Sequence, residues 1–421
     1  MDYPEVASRT RRFTQGAPRA VTVADDGSRV VFLRSAGPHD PADALWSLDV
    51  ASASERLVAD PAVLLSAEPA AATGVHLSNG TGRGIDSYAT DPGAHVAALN
   101  LAGRLFRADL VNGDVVEVPV AGPVLDPRPD PTGTRIAYLL GTELRVVDYD
   151  GTDMLLAGED AGVVWGQAEA VAARQFGRNR GYWWAPNGES ILAARVDAAR
   201  LPRWHLLDGV HPERTPTTLG YPRAGGPIAQ VSLHVLDLDG AWVDVHWDRE
   251  TYPYLVSVHW ADGVPLITVL RRLQQHGLVL AVDPRTGETQ VHAELADPRW
   301  VDPIPGTPRH LPDGRVLVGG ELAHDGYDAR CLFADGTLIT SPALYVRRVV
   351  GRVAGAAGPP ELVVEVSDGE PSQQHLYRIR TALGVGGAEA RRVTTEAGWH
   401  TGVVGGDVLV VGSESLDHSG L

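Results

Sequence analysis

Asp25-Asp26-Gly27-Ser28-Arg29-Val30-Val31-Phe32 is the stretch from which the fold is read. Asp-Gly suits the positive φ of a tight turn, and the β-branched and aromatic residues after it suit a pleated strand. The same turn and run return as Asp130-Pro131-Thr132-Gly133-Thr134-Arg135-Ile136-Ala137-Tyr138. They return again as Ala185-Pro186-Asn187-Gly188-Glu189-Ser190-Ile191-Leu192 and as Leu311-Pro312-Asp313-Gly314-Arg315-Val316-Leu317-Val318. A second recurrence is an aliphatic residue with an aspartate four positions later. Leu45 with Asp49, Leu105 with Asp109, Leu144 with Asp148, Leu233 with Asp237 and Val279 with Asp283 fit it. Each aspartate is soon followed by a polar or glycine-bearing turn, such as Asp150-Gly151, Asp239-Gly240 or Thr286-Gly287. The aspartates are spaced 60, 39, 89 and 46 residues apart. With 89 taken as two steps the period is about 47 residues, which is that of a β-propeller blade of four strands. A degraded copy, Leu376-Tyr377-Arg378-Ile379-Arg380, and strand-like runs at 400–404 and 407–413 extend the series to the end of the chain.

The expected fold is therefore all-β: one propeller over residues 1–421, of eight four-stranded blades, the last incomplete. Recurrence of one turn chemistry favours this over a set of β-sandwich domains. One short helix is expected near 167–176, where alanines alternate with Glu169 and Arg174. Residues 239–260 alternate like paired strands. Asp-x-Asp-Gly at 148–151 and 237–240 reads as hairpin corners, because neither has the spaced ligands and terminal glutamate of a calcium loop.

Composition narrows the function. The 421 residues hold 53 acidic and 36 basic side chains, every basic one an arginine, for a net charge of −17. Such a chain lacks the basic footprint of a nucleic-acid binder. Its hydrophobic content of 44% is ordinary for a globular protein. No apolar run approaches the roughly 20 residues of a membrane-spanning helix. The start, Met1-Asp2-Tyr3-Pro4-Glu5, has neither the basic nor the apolar region of a signal peptide. A single cysteine, Cys331, forms no intrachain disulfide and fits a reducing, cytoplasmic setting.

Catalytic signatures are missing. There is no Gly-x-Ser-x-Gly elbow, no His-Glu-x-x-His and no Cys-x-x-Cys. The 15 histidines are scattered. His205, His234, His246 and His259 fall on predicted strands and read as structural or surface residues. Ser413 and Ser415 near His418 sit in a terminal, glycine-flanked segment that does not hold a triad rigidly. No catalytic residue, metal ligand set or cofactor is assigned.

The run Ala173-Arg174-Gln175-Phe176-Gly177-Arg178-Asn179-Arg180-Gly181-Tyr182-Trp183-Trp184-Ala185-Pro186-Asn187-Gly188 resembles a segment of the dipeptidyl peptidase IV family, in the prolyl oligopeptidase clan. That segment reads Glu-Glu-(Phe or Met)-x-Arg-x-x-Gly-(Tyr or Phe)-Trp-Trp-(Ser or Ala)-Pro-(Asp or Asn)-Gly. The likeness continues through Ala194-Arg195-Val196-Asp197, Pro202-Arg203-Trp204-His205, Tyr221-Pro222-Arg223-Ala224-Gly225 and Val235-Leu236-Asp237-Leu238. Arg9-Thr10-Arg11-Arg12-Phe13-Thr14 and Phe32-Leu33-Arg34-Ser35 look like the start of bacterial members.

The resemblance implies an eight-bladed propeller that caps a separate α/β-hydrolase domain carrying a Ser-Asp-His triad. The propeller limits access, and its glutamate pair grips the free amino group of a peptide, so that a dipeptide is released. The hydrolase domain is expected to be absent from this chain, which is then non-catalytic alone. Its implied partners are peptide substrates and a hydrolase domain, in cis or from a separate chain, with neither nucleic acid nor membrane. The glutamate pair falls here on Arg174 and Gln175. Glu169, upstream on the same expected helix, is a candidate partial substitute. Trp165, Tyr182, Trp183 and Trp184 are expected to be blade core. An unfinished last blade leaves an open strand edge, so reduced stability and self-association into homo-oligomers are expected. The alternative is a stand-alone peptide- or protein-binding propeller with altered ligand choice, taking anionic groups at Arg174.

Overall fold

The structure is a computed structural model that describes residues 2–66, 84–159, 162–353, 361–381 and 389–417. After helix α1 (Tyr3–Arg9), strands β1 (Arg19–Val23), β2 (Arg29–Ser35), β3 (Asp43–Asp49) and β4 (Ser54–Ala59) form the first antiparallel sheet. Helix α2 (Pro61–Ser66) leads on to the second sheet, β5 (Ser87–Thr90), β6 (Val96–Leu101), β7 (Arg104–Asp109) and β8 (Val115–Glu117). The third is β9 (Val124–Pro129), β10 (Arg135–Leu140), β11 (Glu143–Asp148) and β12 (Asp153–Ala157).

The fourth sheet is elaborated. Strand β13 (Val163–Trp165) is followed by helix α3 (Ala170–Gln175), β14 (Tyr182–Trp184) and β15 (Ser190–Asp197). A separate two-stranded hairpin, β16 (Arg203–Leu206) and β17 (Thr217–Gly220), precedes β18 (Gln230–Asp237) and β19 (Trp242–Asp244). The sheet order is β13-β15-β18-β19, with β14 also paired to β15. The fifth sheet holds β20 (Tyr254–His259), β21 (Leu266–Leu270), β22 (His276–Val282) and β23 (Thr289–Ala296). The sixth holds β24 (Arg309–His310), β25 (Val316–His324), β26 (Tyr327–Ala334) and β27 (Thr337–Leu338). The seventh holds β28 (Tyr345–Val353), β29 (Glu361–Ser367), β30 (His375–Arg380) and β31 (Ala390–Arg392). Among the described residues the last sheet is a hairpin of β32 (Trp399–Gly405) and β33 (Val408–Glu414).

These successive antiparallel sheets are the blades of an all-β propeller, and the two sequence recurrences mark fixed places in them. The four turn-and-run copies lie between β1 and β2, β9 and β10, β14 and β15, and β24 and β25. Their glycines, Gly27, Gly133, Gly188 and Gly314, take φ of +76°, +71°, +72° and +86°, which side chains with a Cβ rarely adopt. The recurring aspartates end β3, β7, β11 and β18 or follow β22, at the corner before an outer strand. Two more copies exist. Asp91-Pro92-Gly93 leads into β6, where the Asp91 carboxylate accepts from the backbone N–H of His95 and Val96 at 2.8 and 2.6 Å. Asp262-Gly263 leads into β21. Inner strands such as β6 and β21 are buried along their whole length, which explains why each is apolar but for one residue, Asn100 and Thr268.

The residues group into two compact units. The first comprises Met1–Tyr138, Val147–Asp153 and Val301–Leu421, and the second Leu139–Val146 and Met154–Trp300. In the first, Val31, Leu33, Leu45, Leu99 and Phe106 pack the first two sheets together. Leu317, Leu332, Val346, Leu362 and Ile379 do the same for the sixth and seventh. The β32–β33 hairpin presses on the first sheet so closely that a Cβ on Gly405 would meet the Ala24 carbonyl at 2.2 Å. Cys331, on β26, is wholly buried. In the second unit Trp183, Leu192, Leu233, Leu255, Ile267 and Leu280 join the fourth and fifth sheets.

Some expectations change. The helix is shorter than 167–176, because Glu169 caps it rather than lying within it. Helix α1 was not expected, although Asp2 caps it and Pro4 stands in its first turn. Residues 239–260 do hold two strands, but β19 pairs with β18 and β20 with β21, so they belong to different sheets. His246 lies just outside a strand, while His205, His234 and His259 lie on β16, β18 and β20. Trp165, Tyr182, Trp183 and Trp184 are all buried. Among the described residues no helix is long and apolar enough to cross a membrane.

Candidate functional site

Helix α3 carries the residues that the sequence singled out, and its local chemistry explains how it stands. Glu169 has extended backbone (φ −72°, ψ 162°), and its two carboxylate oxygens accept from Val171 N and Ala172 N, each at 2.6 Å. Two of the first-turn N–H groups are thereby satisfied, and the negative charge meets the positive end of the helix. Glu169 is only 9% exposed, so it is a buried cap and not a solvated helix residue. At the other end Phe176 N and Arg178 N both donate to the Ala172 carbonyl, at 3.2 and 3.0 Å. The Phe176 ring meets Tyr254 edge-on at 5.9 Å, which seats the helix on β20.

Arg174 and Gln175 are the last two helical residues and both are exposed. The structure therefore brings these two together and leaves the Glu169 carboxylate engaged at the opposite end of the helix. The Arg174 guanidinium lies 5.6 Å from the centre of the Tyr221 ring. Gln175 Nε2 donates to Gln274 Oε1 at 2.7 Å, in the turn between β21 and β22.

Sequence reasoning missed the residues around this pair. Arg178 is 8% exposed; its Nε donates to the Leu255 carbonyl at 3.2 Å and its Nη1 to the Arg180 carbonyl at 2.8 Å. Its Nη2 meets no acceptor. Burial pulls its pKa down to about 10, against the field of Glu169, and it stays charged at neutral pH. Arg272 Nη2 donates to the Gly226 carbonyl, and Arg223 stacks 4.9 Å from the Trp204 ring. Burial raises the pKa of Tyr254, Arg272 lowers it and Glu169 raises it. Arg178 lies in the motif and Arg223 in a further stretch that carries the resemblance, though neither stretch marks the residue's role; Arg272 has no local signal.

Two other groupings have structural work. His234 meets Trp165 at a tilt and Trp242 edge-on, with ring centres 5.1 and 4.8 Å away, and its Nε2 is 2.8 Å from Ser232 Oγ. Burial pulls its pKa down to about 4, so the ring is neutral. Ser413 Oγ lies 2.8 Å from His400 Nδ1, whose Nε2 faces the Glu396 carbonyl, so His400 is occupied within the last sheet. His418 lies outside the described residues. Among the described residues no three of His, Cys, Asp and Glu stand where they could share a metal ion.

What the end of α3 can do follows from this geometry: it presents cations and amide groups, while Glu169, at the other end, is spent on backbone N–H groups. Comparison with known proteins identifies the family. The family model described as the dipeptidyl peptidase IV N-terminal region matches residues 100–411, which include α3 and every segment around it. The crystal structure of Porphyromonas gingivalis dipeptidyl peptidase 4 superposes with a TM-score of 0.74 at 18% identity, over 98% of this chain. The chain spans 58% of the length of that protein. With the family match running over most of its length and the same fold along nearly all of it, the chain belongs to the dipeptidyl peptidase IV N-terminal region family.

Proposed function

We propose that this chain is the substrate-gating and substrate-binding propeller of a dipeptidyl-peptidase-IV-like serine peptidase. It forms one propeller domain over 1–421 and works with an α/β-hydrolase domain, in cis or from a separate chain. The complete enzyme releases N-terminal dipeptides from peptides, and this chain alone is non-catalytic. The observation that carries the reading is the family match over residues 100–411. The propeller's part is positioning: holding one end of a peptide fixes which bond reaches the nucleophile and lowers the entropic cost of attack. Arg174 and Gln175 are the substrate-end residues in this reading. A cytoplasmic setting belongs to it, supported by the lone buried thiol of Cys331. So does homo-oligomer formation at the last sheet, which light scattering checks; a monodisperse monomer overturns it.

The experiment for the main reading has two arms. The purified 421-residue chain is expected to release no p-nitroaniline from Gly-Pro-p-nitroanilide, and release would sink the non-catalytic assignment. The DNA beyond codon 421 is expected to encode, in frame or in a neighbouring reading frame, a hydrolase domain with a Gly-x-Ser-x-Gly elbow. Its absence favours the second reading, a stand-alone peptide- or protein-binding propeller. Arg174 and Gln175, standing where the family has two glutamates, are the observation on that side.

A further inference from the structure

We propose that the end of α3 binds a carboxylate, the side chain of an aspartate or glutamate near the amino end of a peptide. The proposal rests on the peptide-binding reading above and names its substrate class.

Acidic residues outnumber arginines 53 to 36 in this chain, so carboxylate partners are plentiful. Elsewhere arginines take them: Arg104 with Glu117, Arg195 with Glu159 and Arg348 with Glu365, at 2.5 to 2.6 Å. Among the described residues no carboxylate forms an ion pair with Arg174, Arg223 or Arg272. All three are exposed. They come from three separate segments, and those segments are tied into one closed circuit. Gln175 bonds to Gln274, in the turn that carries Arg272. Arg272 bonds to the Gly226 carbonyl, in the loop that carries Arg223 and Tyr221. Trp204, under Arg223, donates its indole N–H to the Tyr221 carbonyl at 2.9 Å, and Tyr221 lies under Arg174.

Arg174 and Arg223 each lie over an aromatic ring, and an aromatic face satisfies charge without consuming an N–H. The donor edges of both guanidiniums are left for a planar, two-oxygen acceptor, which a carboxylate supplies. Arg178, four residues beyond Arg174, is a buried cation whose Nη2 is unmet. Its field favours an anion at the surface and disfavours an ammonium.

Titration calorimetry of the full chain at low ionic strength tests this with three peptides. The first is Glu-Pro-Ala-Ala-Ala amide, the second Gln-Pro-Ala-Ala-Ala amide, and the third the glutamine peptide with a free C-terminal carboxylate. The first is expected to bind about tenfold more tightly than the second, and to lose that advantage in R174Q and R272Q and at high salt. Equal affinity for the first two overturns the carboxylate site and leaves the peptide-binding reading standing. If the third binds as tightly as the first, the side-chain assignment is overturned in favour of a terminal carboxylate. If none binds at millimolar concentration, both this proposal and the peptide-binding reading fall.

Discussion

Arg348, on β28, and Arg174, on α3, both reach solvent, and they are held in opposite ways. Arg348 makes a fork to Glu365, Nε to Oε2 at 3.0 Å and Nη2 to Oε1 at 2.6 Å. The same pair reaches the last hairpin: Arg348 Nη2 donates to the Gly402 carbonyl at 2.8 Å, and Gly402 N donates to Glu365 at 3.1 Å. Together these bonds lock the seventh sheet to β32. At α3 the arginine rests on a ring and meets no acid. A charge that is fully paired inside the molecule serves the fold, whereas one that is positioned but unpaired is available to something outside it.

Glu365→Ala should break the first half of this comparison hardest. It strands the Arg348 charge and the buried Gly402 N–H together, and about 3 kcal/mol of stability is expected to go. Urea unfolding measures this, and an unchanged midpoint would mean that apolar packing alone holds the hairpin. Acid should act next, through the second unit. The folded pKa of His234, about 4, lies below the ordinary histidine value of 6.5. Between those values the unfolded chain binds a proton that the folded one refuses, so stability falls as pH drops from about 6.5 to about 4 and this contribution falls no further below. In His234→Gln the unfolding midpoint should depend less steeply on pH in that window; an identical slope would clear the histidine.

Smaller effects sharpen the other half. Glu169→Ala removes the cap of α3 and should cost about 1–2 kcal/mol. It should also loosen Arg174 and Gln175, read as faster amide exchange across residues 170–176. Protection equal to that of the unmodified chain would show that Phe176 alone seats the helix. Least of all, Arg174→Gln should change stability by under about 0.5 kcal/mol. A large loss there would place Arg174 with Arg348, as a structural residue.

The propeller was legible because its turns are made by local chemistry: an aspartate or asparagine followed by a glycine at positive φ needs no distant partner. The copy at Asp91 is hidden because Ala94, at φ +49°, stands where the others have glycine, and the copy at Asp262 because Pro265 interrupts the run after it. At α3 the motif located Arg174 and Gln175, and the alanines located the helix. The role of Glu169 was not legible, since a carboxylate near a helix start serves equally well as a cap or as an exposed acid. Arg223 and Arg272 were out of reach for a different reason. They become neighbours of α3 only through contacts between segments far apart in the chain, and no spacing rule encodes those.

Cys331 gives the molecule a built-in clock. It is the sole thiol in 421 residues, it is wholly covered on β26, and burial raises its pKa. A thiol reagent therefore reacts only when the sixth sheet opens, and each chain is labelled once. The rate of that labelling, followed against reagent concentration, separates the frequency of opening from the equilibrium population of the open form, without any engineered probe.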